Sequence, residues 1–263
     1  MYETISIEQD NRGVATIWLD REEKRNALSA RMIHDLHKAA DALGSDESVR
    51  VVVLAARGSH FCAGGDLGWM REQFEADAET RRGEAEKLAF MLRALNTMPK
   101  PLIGRVQGDA YGGGVGLMSV CDTVVANEDA WFALTETRLG LIPATIGPYV
   151  CARMGEAKAR RVFMSGRRFS AEEAMSLGLI ARPVALQDID ASMEMEVTPY
   201  LSCAPGAVAR AKSLLRLMGP AIDDAMIGAT IDELVACWDG KEAKDGIAAF
   251  FDRTAPHWAQ APR

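Results

Sequence analysis

The run Val51-Val52-Val53-Leu54-Ala55-Ala56 constrains this chain more than any other segment. Six consecutive apolar residues, led by three β-branched valines, do not alternate as a strand with one wet face would. Such a run suits a strand buried on both faces, as in a parallel sheet covered by helices. Leu102-Ile103-Gly104-Arg105-Val106 and Thr123-Val124-Val125-Ala126 read as two further strands, with helical patterns between. Ser29 is placed to cap a helix, Ile33, Leu36, Ala40 and Leu43 follow at helical spacing, and Gly44 stands at its stop. Glu72 to Leu95 reads as one long charged helix with Leu88, Met91, Leu92 and Leu95 on one face, ended by Pro99 and Pro101. At the N-terminus Ile5 and Ile7, the turn Asn11-Arg12-Gly13 and the β-rich Val14 to Leu19 predict a hairpin. Strands alternating with helices imply an α/β core.

Beyond about Pro199 the strand signals stop. Pro205 to Met218, Pro220 to Trp238 and Lys241 to Phe251 read as three helices. The expected organisation is an α/β core over 1–198 and a helical C-terminal region over 199–263, packed on the core or on another subunit. Hydrophobic residues make up 48% and charged residues 25%, enough for a sizeable core. No stretch approaches the roughly 20 apolar residues of a membrane span. The start, Met1-Tyr2-Glu3-Thr4, lacks the basic-then-apolar order of a signal peptide. A cytoplasmic protein without a membrane partner is expected.

The formal net charge of -7 leaves no general footprint for nucleic acid. An anionic ligand must therefore be met by local cations or by backbone N–H groups. Cys62, Cys121, Cys151, Cys203 and Cys237 are odd in number and form no C-x-x-C pair; His34, His37, His60 and His257 lack ligand spacing. Reduced thiols and no metal site are expected.

Two glycine-rich turns follow two of the apolar strands: His60-Phe61-Cys62-Ala63-Gly64-Gly65-Asp66-Leu67 and Gly108-Asp109-Ala110-Tyr111-Gly112-Gly113-Gly114-Val115-Gly116. In parallel sheets ligands gather beyond the carboxyl ends of strands, and glycine there lets the backbone approach a ligand. Each turn leads into a predicted helix whose first N–H groups lack intrahelical partners. Two such groups aimed at one point would make an oxyanion hole; each turn alone could equally serve only to reverse the chain. Gly112-x-Gly114 is no dinucleotide fingerprint, because its third glycine position falls on Leu117. Glu136, in Trp131-Phe132-Ala133-Leu134-Thr135-Glu136-Thr137-Arg138-Leu139-Gly140-Leu141-Ile142-Pro143, lies among apolar and small residues that could raise its pKa and suit it to acid/base work. Taken alone it reads as a surface ion pair with Arg138.

These segments, with Arg21-Glu22-Glu23-Lys24-Arg25-Asn26-Ala27-Leu28-Ser29, Cys121-Asp122, Ser176-Leu177-Gly178-Leu179-Ile180 and Gly246-Ile247-Ala248-Ala249-Phe250-Phe251-Asp252-Arg253, resemble the crotonase superfamily of enoyl-CoA hydratases and isomerases over essentially the whole chain. The resemblance implies a ββα spiral core and an acyl-CoA substrate. It assigns the oxyanion hole to the N–H groups of Gly65 and Gly113, and the acid/base to Glu136. Lys24, Arg25, Ala27, Ala63, Gly64, Asp66, Leu67, Gly112 and Gly116 are then the residues expected along the substrate. It also implies a homotrimer or dimer of trimers with the C-terminal helices at its interfaces. No cofactor beyond the coenzyme A of the substrate is implied.

The pattern departs at one position. Two-glutamate hydratases of this superfamily carry their first glutamate where this chain has Gly116, so a glutamate introduced there is expected to restore a second carboxylate. One carboxylate suffices to move a proton between C2 and C4, which is isomerisation. Yet Phe61 to Met70, Gly112 to Leu117 and Gly140 to Val150 look like bacterial methylglutaconyl-CoA hydratase-like members. The reading is therefore a hydratase, a lyase acting on an enoyl-CoA that is branched or carboxylated. An enoyl-CoA isomerase and a non-catalytic acyl-CoA binder are the alternatives.

Overall fold

The computed structural model describes residues 2–259. Among them nine strands occur: β1 (Ile5–Gln9), β2 (Val14–Leu19), β3 (Val51–Ala56), β4 (Leu102–Val106), β5 (Ala110–Tyr111), β6 (Thr123–Asn127), β7 (Trp131–Ala133), β8 (Phe169–Ser170) and β9 (Arg182–Val184). Six form one sheet in the order β1-β2-β3-β4-β6-β9, antiparallel only in the N-terminal hairpin. The α/β expectation holds, and the reason for the apolar run is visible in β3. Val52, Leu54 and Ala56 enter the main core, whereas Val51, Val53 and Ala55 enter a second one with Ile189, Met193 and Val197. Both faces are dry, so alternation has no place in the sequence.

Eleven α-helices accompany the strands among the described residues: α1 (Ala30–Ser45), α2 (Leu67–Glu75), α3 (Ala78–Thr97), α4 (Gly113–Val120), α5 (Gly147–Met154), α6 (Glu156–Phe163), α7 (Ala171–Leu177), α8 (Ile189–Leu201), α9 (Pro205–Met218), α10 (Asp224–Asp239) and α11 (Lys241–Phe251). The Ser29 hydroxyl accepts from the Met32 N–H and starts α1 as expected, but the helix passes through Gly44 to Ser45. Glu72 to Leu95 is two helices, not one. Asp77 accepts from the Thr80 N–H at 2.8 Å and opens α3 afresh. Local capping has overridden a continuous helical pattern there. α8 carries Pro199 near its C-terminal end and packs on β3, β4 and β6 of the core.

A second, three-stranded sheet of order β5-β7-β8 has no counterpart in the sequence reading, because strands of two or three residues carry no period. It nevertheless sets the second glycine turn, whose Gly112 N–H donates to the Ala133 carbonyl at 2.9 Å. The short 3₁₀ turn Glu136–Leu139 follows, and α11 packs on it. A Cβ on Gly246 would lie 2.6 Å from the Leu139 carbonyl oxygen, and one on Gly140 2.5 Å from that of Glu242. Glycine alone allows this approach. No helix among the described residues is long and apolar enough to cross a membrane.

Candidate active site

Both glycine turns are pinned by backbone hydrogen bonds. The Ala63 N–H donates to Arg25 (3.0 Å), the Leu28 N–H to Gly64 (2.7 Å) and the Asp66 N–H to Leu28 (2.9 Å). Gly64 and Gly112 stand at φ +93° and +47°, in the region that favours glycine. Among the described residues, the N–H groups of Gly65 and Gly113 donate to no backbone acceptor. Gly113 is the first residue of α4, where the helix offers no acceptor. Both glycines line one cavity of about 550 Å³. The sequence-predicted pair of donors is thus brought together.

Glu136 lines the same cavity. A Cβ on Gly112 would lie 3.0 Å from Glu136 Oε1, so the carboxyl rests against the second turn. Its Oε2 is shut from solvent and has no hydrogen-bond partner. Burial pushes the carboxyl up to about 7, because a dry site disfavours the charged form. Among the described residues Glu136 forms no ion pair with Arg138. A second carboxylate in the cavity, Glu84, is already committed. Its Oε2 accepts from Trp69 Nε1 at 3.0 Å and its Oε1 pairs with Lys87 at 2.6 Å.

The remaining expected residues divide. Ala63, Gly64, Leu67 and Gly112 line the cavity. Lys24 and Arg25 are exposed on the turn whose Arg25 carbonyl holds the Ala63 N–H, outside the cavity wall. Ala27 is buried away from the cavity. Asp66 does not face a ligand: its carboxylate caps α2 through the Gly68 and Trp69 N–H groups and pairs with Arg21 at 3.0 Å. Those bonds hold its carboxyl below the usual carboxylate range, against the opposing effect of burial.

Gly116 is a correction as well. It is buried inside α4, and the side chain that meets the cavity there is Ile146. A Cβ at 116 would clash with Ile146 Cγ2 and sit 3.0 Å from its Cβ. Ile146, from the segment before α5, fills the space beside Gly116, and a glutamate at 116 cannot enter while Ile146 stays.

Several lining residues escaped sequence reading: Trp69, Met70 and Gln73 on α2, Arg81 on α3, Trp238 on α10 and Phe250. The first three recur at i, i+1 and i+4, a one-face helical pattern that starts directly after Gly65-Asp66 and could have marked them. Trp238 and Phe250 could not be found this way. They come from the helical region expected between subunits, and it folds over the cavity of its own chain.

The family model described as enoyl-CoA hydratase/isomerase matches residues 9–261. An enoyl-CoA hydratase of Alternaria alternata is 32% identical, covering 95% of this chain and 82% of its own. The mouse mitochondrial methylglutaconyl-CoA hydratase is 30% identical, covering 96% and 81%. The crystal structure of an enoyl-CoA hydratase from Shewanella pealeana superposes with a TM-score of 0.81 at 36% identity, covering 98% of this chain and 97% of the other. The architecture is thus the crotonase-type α/β fold with a helical C-terminal region. The chain belongs to the enoyl-CoA hydratase/isomerase family.

Proposed function

We propose that this protein hydrates an enoyl-CoA thioester, with Glu136 as its acid/base. The observation that carries the reading is a buried carboxyl, its Oε2 without a partner and its pKa pushed up by burial to about 7, in the same cavity as two backbone N–H groups that donate to no backbone acceptor among the described residues. The thioester oxygen accepts from the Gly65 and Gly113 N–H groups, which polarises C3 of the enoyl group. Ionised Glu136 takes a proton from water as the water oxygen bonds to C3. The electron pair of the double bond moves toward the thioester oxygen, where the two fixed donors stabilise the enolate by several kcal/mol. Collapse of the enolate takes a proton onto C2, returned by Glu136. Lys24 and Arg25 meet the phosphates of coenzyme A near Ala63.

Isomerisation is the second reading, supported by Glu136 being, among the described residues, the one uncommitted carboxyl at this cavity, with Ile146 filling the place beside Gly116. Hydration and 3-enoyl to 2-enoyl conversion measured on the same acyl chains separate the two. Hydration is expected to be faster on the best substrate. Isomerisation exceeding hydration on every chain would reverse the assignment, and no turnover on any would favour a non-catalytic acyl-CoA binder.

Assembly as a homotrimer or dimer of trimers belongs to the same proposal. α9 leaves Leu214, Leu215, Leu217 and Met218 exposed, Leu217 by 82%, an apolar surface that suits contact with further copies of this chain. Light scattering at micromolar concentration should return three or six chain masses; a monomer would defeat this.

A further inference from the structure

Gln73 is a polar group of the cavity wall that the chemistry above does not use. Gln73 on α2 is only 7% exposed and lines the cavity. Its Oε1 is shut from solvent without a partner, and no side-chain amide bond of Gln73 occurs among the described residues. Two charged groups of the same cavity wall, Arg81 and Glu84, are engaged. Arg81 donates to the Gln73 and Phe74 carbonyls, pairs with Asp239 at 2.9 Å and lies over the Trp238 ring. Glu84 is held by Trp69 and Lys87. An amide left unbonded when a ligand displaces water is disfavoured, so an acyl chain that is apolar throughout is the wrong filling for this end of the cavity.

We infer that Gln73 is a specificity-determining residue, and that it recognises an acyl group bearing an uncharged hydrogen-bonding substituent such as a hydroxyl. A hydroxyl can donate to Oε1 and accept from Nε2 at once. A carboxylate can accept from Nε2 but cannot donate to Oε1, so it leaves that oxygen without a partner. Residue 73 lies roughly 9 Å along the axis of α2 from Leu67, beside the Gly65 donor. The substituent is therefore placed on the part of the acyl chain beyond C3, and six-carbon thioesters serve as its probes. The inference rests on the acyl-CoA reading of this cavity and adds a substrate class to it.

The test measures binding, not turnover, so its failure and that of the hydratase assignment are distinguishable. Dissociation constants are determined calorimetrically for three saturated six-carbon thioesters, which undergo no hydration: hexanoyl-CoA, 6-hydroxyhexanoyl-CoA and the acyl-CoA ending in a carboxylate. The hydroxylated thioester should bind about tenfold tighter than hexanoyl-CoA, the size of one neutral hydrogen bond. In Gln73→Leu that advantage should vanish or reverse. Equal binding by the wild type, or preference for the methyl or carboxylate terminus, overturns the inference whether or not the variant folds. So does a hydroxyl preference that a folded Gln73→Leu variant retains.

Discussion

Glu136→Gln should lose hydration by roughly 100-fold or more, the scale of a lost general acid/base, and should at the same time be the more stable protein at pH 8. Most catalytic substitutions are read only through activity; here the two effects have one cause. The carboxyl titrates near 7 in the fold, against 4.5 as its ordinary value. Between those values the folded state holds a proton that the unfolded chain releases, so stability falls as pH rises from about 4.5 to about 7 and is level above. The difference between those two values corresponds to about 3 kcal/mol, an upper figure for a side chain that faces an open cleft. The amide cannot ionise and escapes that penalty. Denaturant unfolding at pH 8 and pH 4 should show the variant gaining at the higher pH only. A variant destabilised at pH 8 would mean that the Glu136 carboxylate is held by favourable partners.

Gly113→Pro should cost 10²–10³-fold in kcat, the effect of removing one oxyanion donor. Gly113 is the first residue of α4, where proline is tolerated because the missing N–H has no helical acceptor. Its added side chain is the complication, since a Cβ at 113 would lie 2.6 Å from Leu28 Cδ1. The decisive comparison is therefore made in a Leu28→Ala background, with Gly113→Ala as the control that brings the Cβ but keeps the N–H. The alanine form should retain most of the activity of its background and the proline form should not. Equal activity of the two would remove Gly113 from the oxyanion hole.

The features legible in the sequence were those written in a period or a cap. The two-faced burial of β3 is spelled in Val51 to Ala56, and Ser29 announces α1. The C-terminal helices α9 and α11 begin and end where their patterns do. Both glycine turns and Glu136 stood out because each breaks the apolar pattern around it. What stayed hidden depends on contacts between distant segments. Ile146 behind Gly116 is invisible to any local reading, because only the packing of α4 against the start of α5 brings the two together. Asp66 looked like part of a ligand-facing turn, yet a short carboxylate before a helix is also what an N-cap needs, and the cap prevailed. Asp77 divided a charged stretch for the same reason. Trp238 and Phe250 reach the cavity because α10 packs on α3 and α11 on the 3₁₀ turn of Glu136, a tertiary choice between core and neighbouring subunit that helical periodicity does not record.

The most direct measurement is the pH dependence of kcat/KM for enoyl-CoA hydration by the wild-type protein. A base must be ionised to activate water, so the rate constant should climb about tenfold per pH unit below an apparent pKa near 7 and level off above it. The same titration should be missing from the residual activity of Glu136→Gln. A wild-type profile flat from about pH 5 to pH 9, or one that falls through pH 7, would contradict water activation by Glu136 and with it the account of this cavity.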